Sequence, residues 1–343
     1  MSERRLRFGI RPHGWIADPT PFAEIVAWVA RAEALGFDSV HVADRLLSRV
    51  PPVYESTMYE VTSCLATFAA HTNTMQLSPL VYNAPYRHPV LTAKVFASLD
   101  VASQGRIVLA VGGGWNAHEF EVLGVPRGRR GRLLEESVEV IRRLWTENHV
   151  DHEGACFSFR DVSVEPKPVQ EPHPPIWFGS IGPEVHEFNP LVERVLDRIA
   201  RLGDGWVPLT YSTHAKAMTD PGLLGRAWRR IEAGLAANGR DPRRFEIIYS
   251  HWCYVTAGES GERERCEEAV RRWFDGSLDE ARRTYLVGGP EEIVDRIAAS
   301  VAELPRVDRF ILTPFSYDPE QLDRLAAEVL PRLEERFGQA PAR

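Results

Sequence analysis

Residues 80–124, LVYNAPYRHPVLTAKVFASLDVASQGRIVLAVGGGWNAHEFEVLG, constrain this chain more than any other part of it. The stretch opens at the end of a strand, turns through Asn83, Pro85 and Pro89, and continues as a helix from about Val90 to Ala102. Gln104-Gly105 stops that helix, and the next run, Arg106 to Val111, is almost continuously apolar. Such a strand is buried on both faces, and two of them joined through one helix make a βαβ unit of a parallel sheet. The second strand ends in Gly112-Gly113-Gly114-Trp115. Ligands bind at the carboxyl ends of strands in parallel α/β sheets. Three glycines there let the backbone approach a ligand closely or take a positive φ.

The same alternation runs through the rest of the chain. Leu6 to Arg11 reads as a first strand, and Phe22, Ile25, Val26 and Val29 share one face of a helix that Thr20 and Pro21 begin. Further strands are expected at 37–42, 74–81, 175–180, 200–208, 245–256 and 308–314, with helices at 57–70, 126–145, 290–304 and 319–337. A hairpin insertion is expected at about 150–165, followed by an extended crossing with five prolines between Glu165 and Pro175. Eight strands, each followed by helical sequence, give an α/β fold of the (β/α)8 TIM-barrel type, and 343 residues suit one such domain.

Composition narrows the partners. A net charge of -7 and a pI near 5.9 disfavour nucleic acid and anionic membranes. No apolar run approaches the ~18–20 residues of a membrane span. The amino terminus enters a strand at once without a signal-type apolar region, and the four cysteines form no Cys-x-x-Cys pair, so a reducing cytoplasm is expected. His149, Asp151, His152 and Glu153 lack metal-ligand spacing, so no metal is expected there.

Chemistry is expected at the strand ends. Gly179, Ser180 and Gly182 form a turn of small residues leading into a helix, where open N–H groups suit an anion. Arg127, Arg129, Arg130 and Arg132 either contact a phosphate or pair with Glu135 and Glu136. Period-two alternation puts Tyr249, His251 and Cys253 on one face of the seventh strand, leaving His251 as either a structural or an active-site group. The glycine triplet lacks the G-x-G-x-x-G spacing of a dinucleotide fingerprint.

Several segments carry a family resemblance. Pro85-Tyr86-Arg87-His88-Pro89, Leu99-Asp100, Gly105-Arg106, Gly112 to Trp115 followed by Glu119-Phe120 and Gly124, the run AEALGFDSVHVAD, and PPIWFGS resemble the luciferase-like flavin-dependent oxidoreductases. The resemblance implies a two-component monooxygenase in which reduced FMN, supplied by a separate NAD(P)H:flavin reductase, and O2 oxygenate a small organic substrate. The alternative it implies is hydride transfer with the deazaflavin coenzyme (factor 420), and a further one is a non-catalytic flavin-binding protein. It places His13, Gly14, Leu80, Tyr82, Asn83, Gly112, Gly113, Gly114 and Trp115 around the ring, and Gly179, Ser180 and Gly182 at the phosphate. A cis peptide is implied at Pro79-Leu80 or within one residue of it. Candidates for proton handling are His251, then His118 and Arg45; Arg45 stands where the family usually has His. Relatives are often oligomers, so a homo-oligomer is expected.

Overall fold

The computed structural model describes residues 5–12, 20–47, 49–50, 54–55, 58–182, 185, 188–212, 215–271, 274 and 276–338. Eight parallel strands form its centre: β1 (Arg7–Ile10), β2 (Ser39–Val42), β3 (Gln76–Pro79), β4 (Leu109–Gly112), β5 (Ile176–Ser180), β6 (Gly205–Pro208), β7 (Glu246–Val255) and β8 (Arg309–Pro314). They pair in the order β3-β2-β1-β8-β7-β6-β5-β4. The ends of this order meet where Leu77 N donates to Arg106 O at 2.8 Å and Val108 N donates to Leu77 O at 3.0 Å, closing the barrel. The helices between them include α1 (Phe22–Ala34), α2 (Val61–His71), α3 (Pro89–Ala102), α4 (Ala117–Val122), α5 (Arg130–Thr146), α6 (Pro190–Leu202) and α7 (Pro221–Ala237). The expected hairpin is present as Val150–Glu153 paired with Ser158–Val162. Sequence reasoning assigned no helix at α7, and among shorter elements it missed α4, a hairpin pairing Tyr211–Ser212 with Ala217–Met218, and a strand Leu286–Gly288 added beside the end of β7. Each of these shorter elements is too short to show a period.

Side-chain alternation separates a lumen core from an outer core, and a third cluster that includes Trp252, Tyr254, Phe274, Tyr285 and Phe315 stands beyond them at the end of β7. Leu80, Val108, Ala110, Trp177, Val207, Ile248 and Ile311 fill the lumen. Their neighbours Leu109, Ile176, Phe178, Trp206, Ile247, Tyr249, Phe310 and Leu312 face outward and pack with helix residues such as Val29, Leu65 and Ile141. Trp206 therefore belongs to the outer layer. The amino-terminal end of the lumen is polar. The fully buried Arg309 donates to Ser39 Oγ at 2.7 Å and to Gln76 Oε1 at 2.5 Å, with its guanidinium 5.2 Å from the Trp177 ring. Burial pulls its pKa down to about 10, against the pull of Glu246.

A repeated aspartate clasp joins strands in pairs at that end. Asp38, Asp204 and Asp308 stand just before β2, β6 and β8. Each carboxylate accepts the backbone N–H of the preceding strand (Phe8 at 2.8 Å, Ile176 at 2.9 Å, Ile247 at 2.8 Å). Each backbone N–H returns a bond to the same residue's carbonyl, at 2.7, 2.6 and 2.9 Å. A strand's first N–H otherwise lacks a ladder partner, and a buried one is costly. Asp308→Ala is expected to lower unfolding free energy by about 2 kcal/mol, measured by denaturant titration. Ligand binding at the opposite end is expected to be unchanged.

Candidate active site

The carboxyl ends of the strands form the mouth, and its tightest packing is around Val81. After β3 the chain passes through a cis Leu80-Val81 peptide, within the window the resemblance implied, and runs beside β4 as Tyr82–Asn83. The Val81 side chain packs on the lumen cluster. A Cβ added at Gly112 would lie 2.5 Å from Val81 Cγ2, and one added at Gly179 would lie 2.7 Å from Val81 Cγ1. Both glycines are thus required by packing, since real contacts of a Cβ are longer. Gly114 is required twice: its φ is +73°, and a Cβ there would meet Tyr86 Oη at 3.0 Å and Phe120 at 3.1 Å. Gly113 is open, its nearest neighbour across the turn being Arg130 Cγ at 3.8 Å from a built Cβ.

Two carboxylates hold the surrounding loops. Asp44, after β2, accepts from Arg87 Nη1 and Nη2 at 2.7 and 2.9 Å and from Asn83 N at 2.8 Å. Asn83 Nδ2 donates to Asp44 O at 2.9 Å. Glu119, on α4 and only 3% exposed, accepts from Leu46 N at 2.9 Å, Leu47 N at 3.1 Å and Tyr86 Oη at 2.9 Å. It therefore ties the loop after β2 to the segment after β4, and on these two segments stand Arg45 and Trp115. The Arg45 guanidinium lies 5.5 Å from the ring of Trp115, which is 59% exposed. The sequence showed Arg87 and Glu119 only as motif letters. These partners lie 33 to 73 residues away, too far for any local pattern.

The expected site residues divide into those at the mouth and those elsewhere. Leu80 faces the lumen, and Gly112, Gly113, Gly114, Trp115, Gly179 and Arg45 lie at the mouth. Asn83 is there, but both its backbone N–H and its Nδ2 are committed to Asp44. Tyr82 points the other way: its ring packs edge-on to Phe96 of α3 and lies 4.4 Å from the Arg87 guanidinium, in the outer core. The Ser180 Oγ is buried without a hydrogen-bond partner among the described residues, as an oxygen kept for a ligand would be. Ile181 beside it has φ +63°, unusual for a β-branched residue. Gly182 is buried, but the expected helix does not begin there. Among the described residues the next helix, α6, starts only at Pro190, capped by Asn189. His13 and Gly14 lie outside the described residues.

The two histidines expected to handle protons are placed otherwise. His251 shares the outward face of β7 with Tyr249, 5.9 Å away ring to ring, and is fully buried beneath Tyr211 at 4.8 Å. Its Nδ1 is 3.0 Å from Trp252 O, fixing Nδ1 as the donor, while its Nε2 is buried without a hydrogen-bond partner among the described residues. His118 stands on the solvent face of α4, 3.4 Å from Glu121. Of the arginine cluster, Arg130 adjoins Gly113, Arg129 donates to Ala155 O at 2.6 Å, and Glu135 pairs instead with Arg198 and Arg201. His149 pairs with Asp161, and His152 with Glu136. Among the described residues no group of three or more His, Cys, Asp or Glu is placed to hold a metal ion. No described helix is long and apolar enough to cross a membrane.

Burial lowers the His251 pKa from 6.5 to about 3, with Arg296 and Arg11 adding to the shift against the Trp252 carbonyl. The folded state thus refuses a proton that the unfolded chain accepts below 6.5. Stability is unaffected by this group above that pH and falls as pH drops from 6.5 towards 3, by about 1.4 kcal/mol per pH unit for one proton. His251→Gln is expected to flatten that limb by one proton in pH-dependent denaturant titrations. At the mouth, Gly112→Ala is expected to cost about 1–3 kcal/mol through overpacking on Val81. Most of that loss is expected to vanish in the Gly112→Ala/Val81→Ala double variant, a coupling that a double-mutant cycle reads directly.

A closed parallel barrel with a glycine-lined mouth is the frame of an α/β-barrel enzyme. The chain belongs to the luciferase-like monooxygenase family, whose profile matches residues 7–306. Over 348 aligned residues it is 28% identical to the F420-dependent glucose-6-phosphate dehydrogenase of Microbacterium testaceum, covering 97% of this chain and 98% of that one. Over 126 residues it is 32% identical to the oxygenase component of a flavin-dependent trigonelline monooxygenase of Acinetobacter baylyi, 36% of this chain and 35% of that one. An uncharacterised protein of Mycobacterium tuberculosis is 36% identical over 143 residues, 42% of this chain, so the match spans about half (47%) of that relative's length. Monooxygenase RslO1 from Streptomyces bottropensis has the same fold, with a TM-score of 0.76 at 23% identity over 95% of this chain and 99% of that one.

Proposed function

We propose that the mouth holds a flavin-type ring and that the chain is the oxygenase component of a two-component monooxygenase, using reduced FMN and O2 on a small organic substrate. The open glycine ledge at Gly113, with Val81 behind it, suits a flat ring lying against backbone. The orphaned Ser180 Oγ and the adjacent Arg130 suit the phosphate. His13 and Gly14, directly after β1, complete the proposed set. When bound, reduced FMN supplies the electrons that activate O2; the chain binds, orients and keeps water out.

The observation that carries the oxygenase reading is the state of the acid–base groups. Oxidising an alcohol by hydride transfer requires a base for the hydroxyl proton, whereas oxygen insertion does not. Among the described residues, Asp44 and Glu119 are both committed to hydrogen bonds, His251 faces outward and His118 faces solvent. Electrons would come from a separate NAD(P)H:flavin reductase, consistent with the similarity to an oxygenase component and with the lack of a G-x-G-x-x-G segment. A second reading, hydride transfer with the deazaflavin coenzyme, is favoured by the similarity along almost the full length to an F420-dependent dehydrogenase.

Titrating the purified protein with FMN and the deazaflavin, each oxidised and reduced, separates the two. The expected result is tightest binding of reduced FMN, by at least tenfold, with O2 consumption that depends on added substrate. Tighter binding of the deazaflavin would replace the first reading with the second.

A further inference from the structure

The side of the mouth opposite Gly112 is polar, and the proposed cofactor contacts leave it unused. Arg7 and Gly9 face the lumen: Arg7 reaches Glu246 at 3.1 Å, and a Cβ at Gly9 would lie 2.6 Å from Ser39 Oγ. Two residues on, Arg11 keeps this face, and its backbone N donates to Leu312 O at 3.2 Å, continuing the β1–β8 ladder. The next position on β8 is Thr313, which is paired in register with Trp252 of β7. Arg11, Thr313 and Trp252 therefore stand side by side on three adjacent strands, on the lumen face at the carboxyl ends.

Arg11 and Thr313 are placed as ligand groups would be, while the buried Trp252 ring also packs on Phe315 at 5.1 Å. The half-buried Arg11 guanidinium lies 5.2 Å from the Trp252 ring and donates to Tyr211 Oη at 3.4 Å. No carboxylate lies within ion-pair distance of it among the described residues, and one long bond leaves most of its five N–H donors unused. Thr313 is fully buried, and its Oγ1 has no hydrogen-bond partner among the described residues. A partly desolvated cation without a counter-ion is costly, and so is a buried hydroxyl without a partner. One ligand oxyanion would relieve both. The charge of Arg11 is felt at His41 and His251, which burial keeps neutral, so neither competes as the cation at this place.

We propose that Arg11, with Thr313 and Tyr211, binds the anionic head of the substrate, and that the substrate is a small organic anion. The inference rests on the reading of the mouth as the substrate site. It assigns Arg11 to substrate and not to cofactor. The planar guanidinium fork matches a carboxylate in two parallel hydrogen bonds, and the Thr313 hydroxyl supplies a third donor.

The test uses hexanoate and its neutral isostere hexanamide, titrated calorimetrically into the full chain with and without FMN. Hexanoate is expected to bind at least tenfold more tightly than hexanamide. Arg11→Gln is expected to abolish that preference, and the isosteric Thr313→Val to reduce hexanoate affinity about fivefold. FMN affinity should change less than twofold in either variant. Equal binding of acid and amide, or binding of neither, would overturn the proposal. So would a loss of FMN affinity in Arg11→Gln with hexanoate unaffected, which would give Arg11 to the cofactor. Should Arg11→Gln fold poorly, Thr313→Val decides alone, since unchanged hexanoate affinity there removes the site. Anion binding without FMN binding would sink the oxygenase reading and leave this inference standing; FMN binding without anion binding would do the reverse.

Discussion

The mouth of this barrel depends on one packing arrangement, the Val81 side chain seated between the Cα atoms of Gly112 and Gly179. Any Cβ at either glycine would approach a Val81 methyl to 2.7 Å or less, well inside contact distance. Val81 in turn rests on the lumen cluster of Leu80, Val108, Ala110, Trp177, Val207, Ile248 and Ile311. The segment after β3 thus turns across to β4 over a packed floor, and the floor, the ledge and the turn after β5 are fixed relative to one another. Packing at this density transmits even a single added methyl.

Around this floor, structural and chemical tasks are kept apart. The carboxylates nearest the mouth hold loops: Asp44 fixes Arg87 and Asn83, while Glu119 fixes the start of the loop after β2 and Tyr86. Those at the amino end clasp strands in pairs through Asp38, Asp204 and Asp308. The imidazole on β7 is sealed in the outer core, and burial keeps it uncharged. Among the described residues, the groups left uncommitted near the mouth include a buried serine hydroxyl on one side, and on the other a threonine hydroxyl and an arginine with no carboxylate within ion-pair distance. This distribution suits anionic groups on two ligands better than proton transfer by the protein.

The barrel was legible in the chain because its cause is local. Apolar runs bounded by glycine and proline give strands, helical spacing gives the covering layer, and their alternation leaves few topologies. The hairpin, the glycine ledge and the place of the Leu80-Val81 bend were all readable on this basis or from the family resemblance. The site was legible only in part. His251 looked like an active-site candidate because alternation gives two faces without saying which is the lumen. The same ambiguity hid that the Tyr82 ring packs on Phe96 in the outer core. Glu119, Arg87 and Thr313 drew little notice because a side chain's role depends on what stands opposite it.

The sequence by itself determined the strands, the principal helices and their order, because these follow from backbone sterics and hydrophobic period within a few residues. Tertiary structure alone decided which face of each strand looks into the lumen, and hence that Arg11, Thr313 and Trp252 meet there while His251 does not. That decision rests on register and closure between strands up to about 300 residues apart, such as Ile10 beside Leu312, where no local pattern reaches.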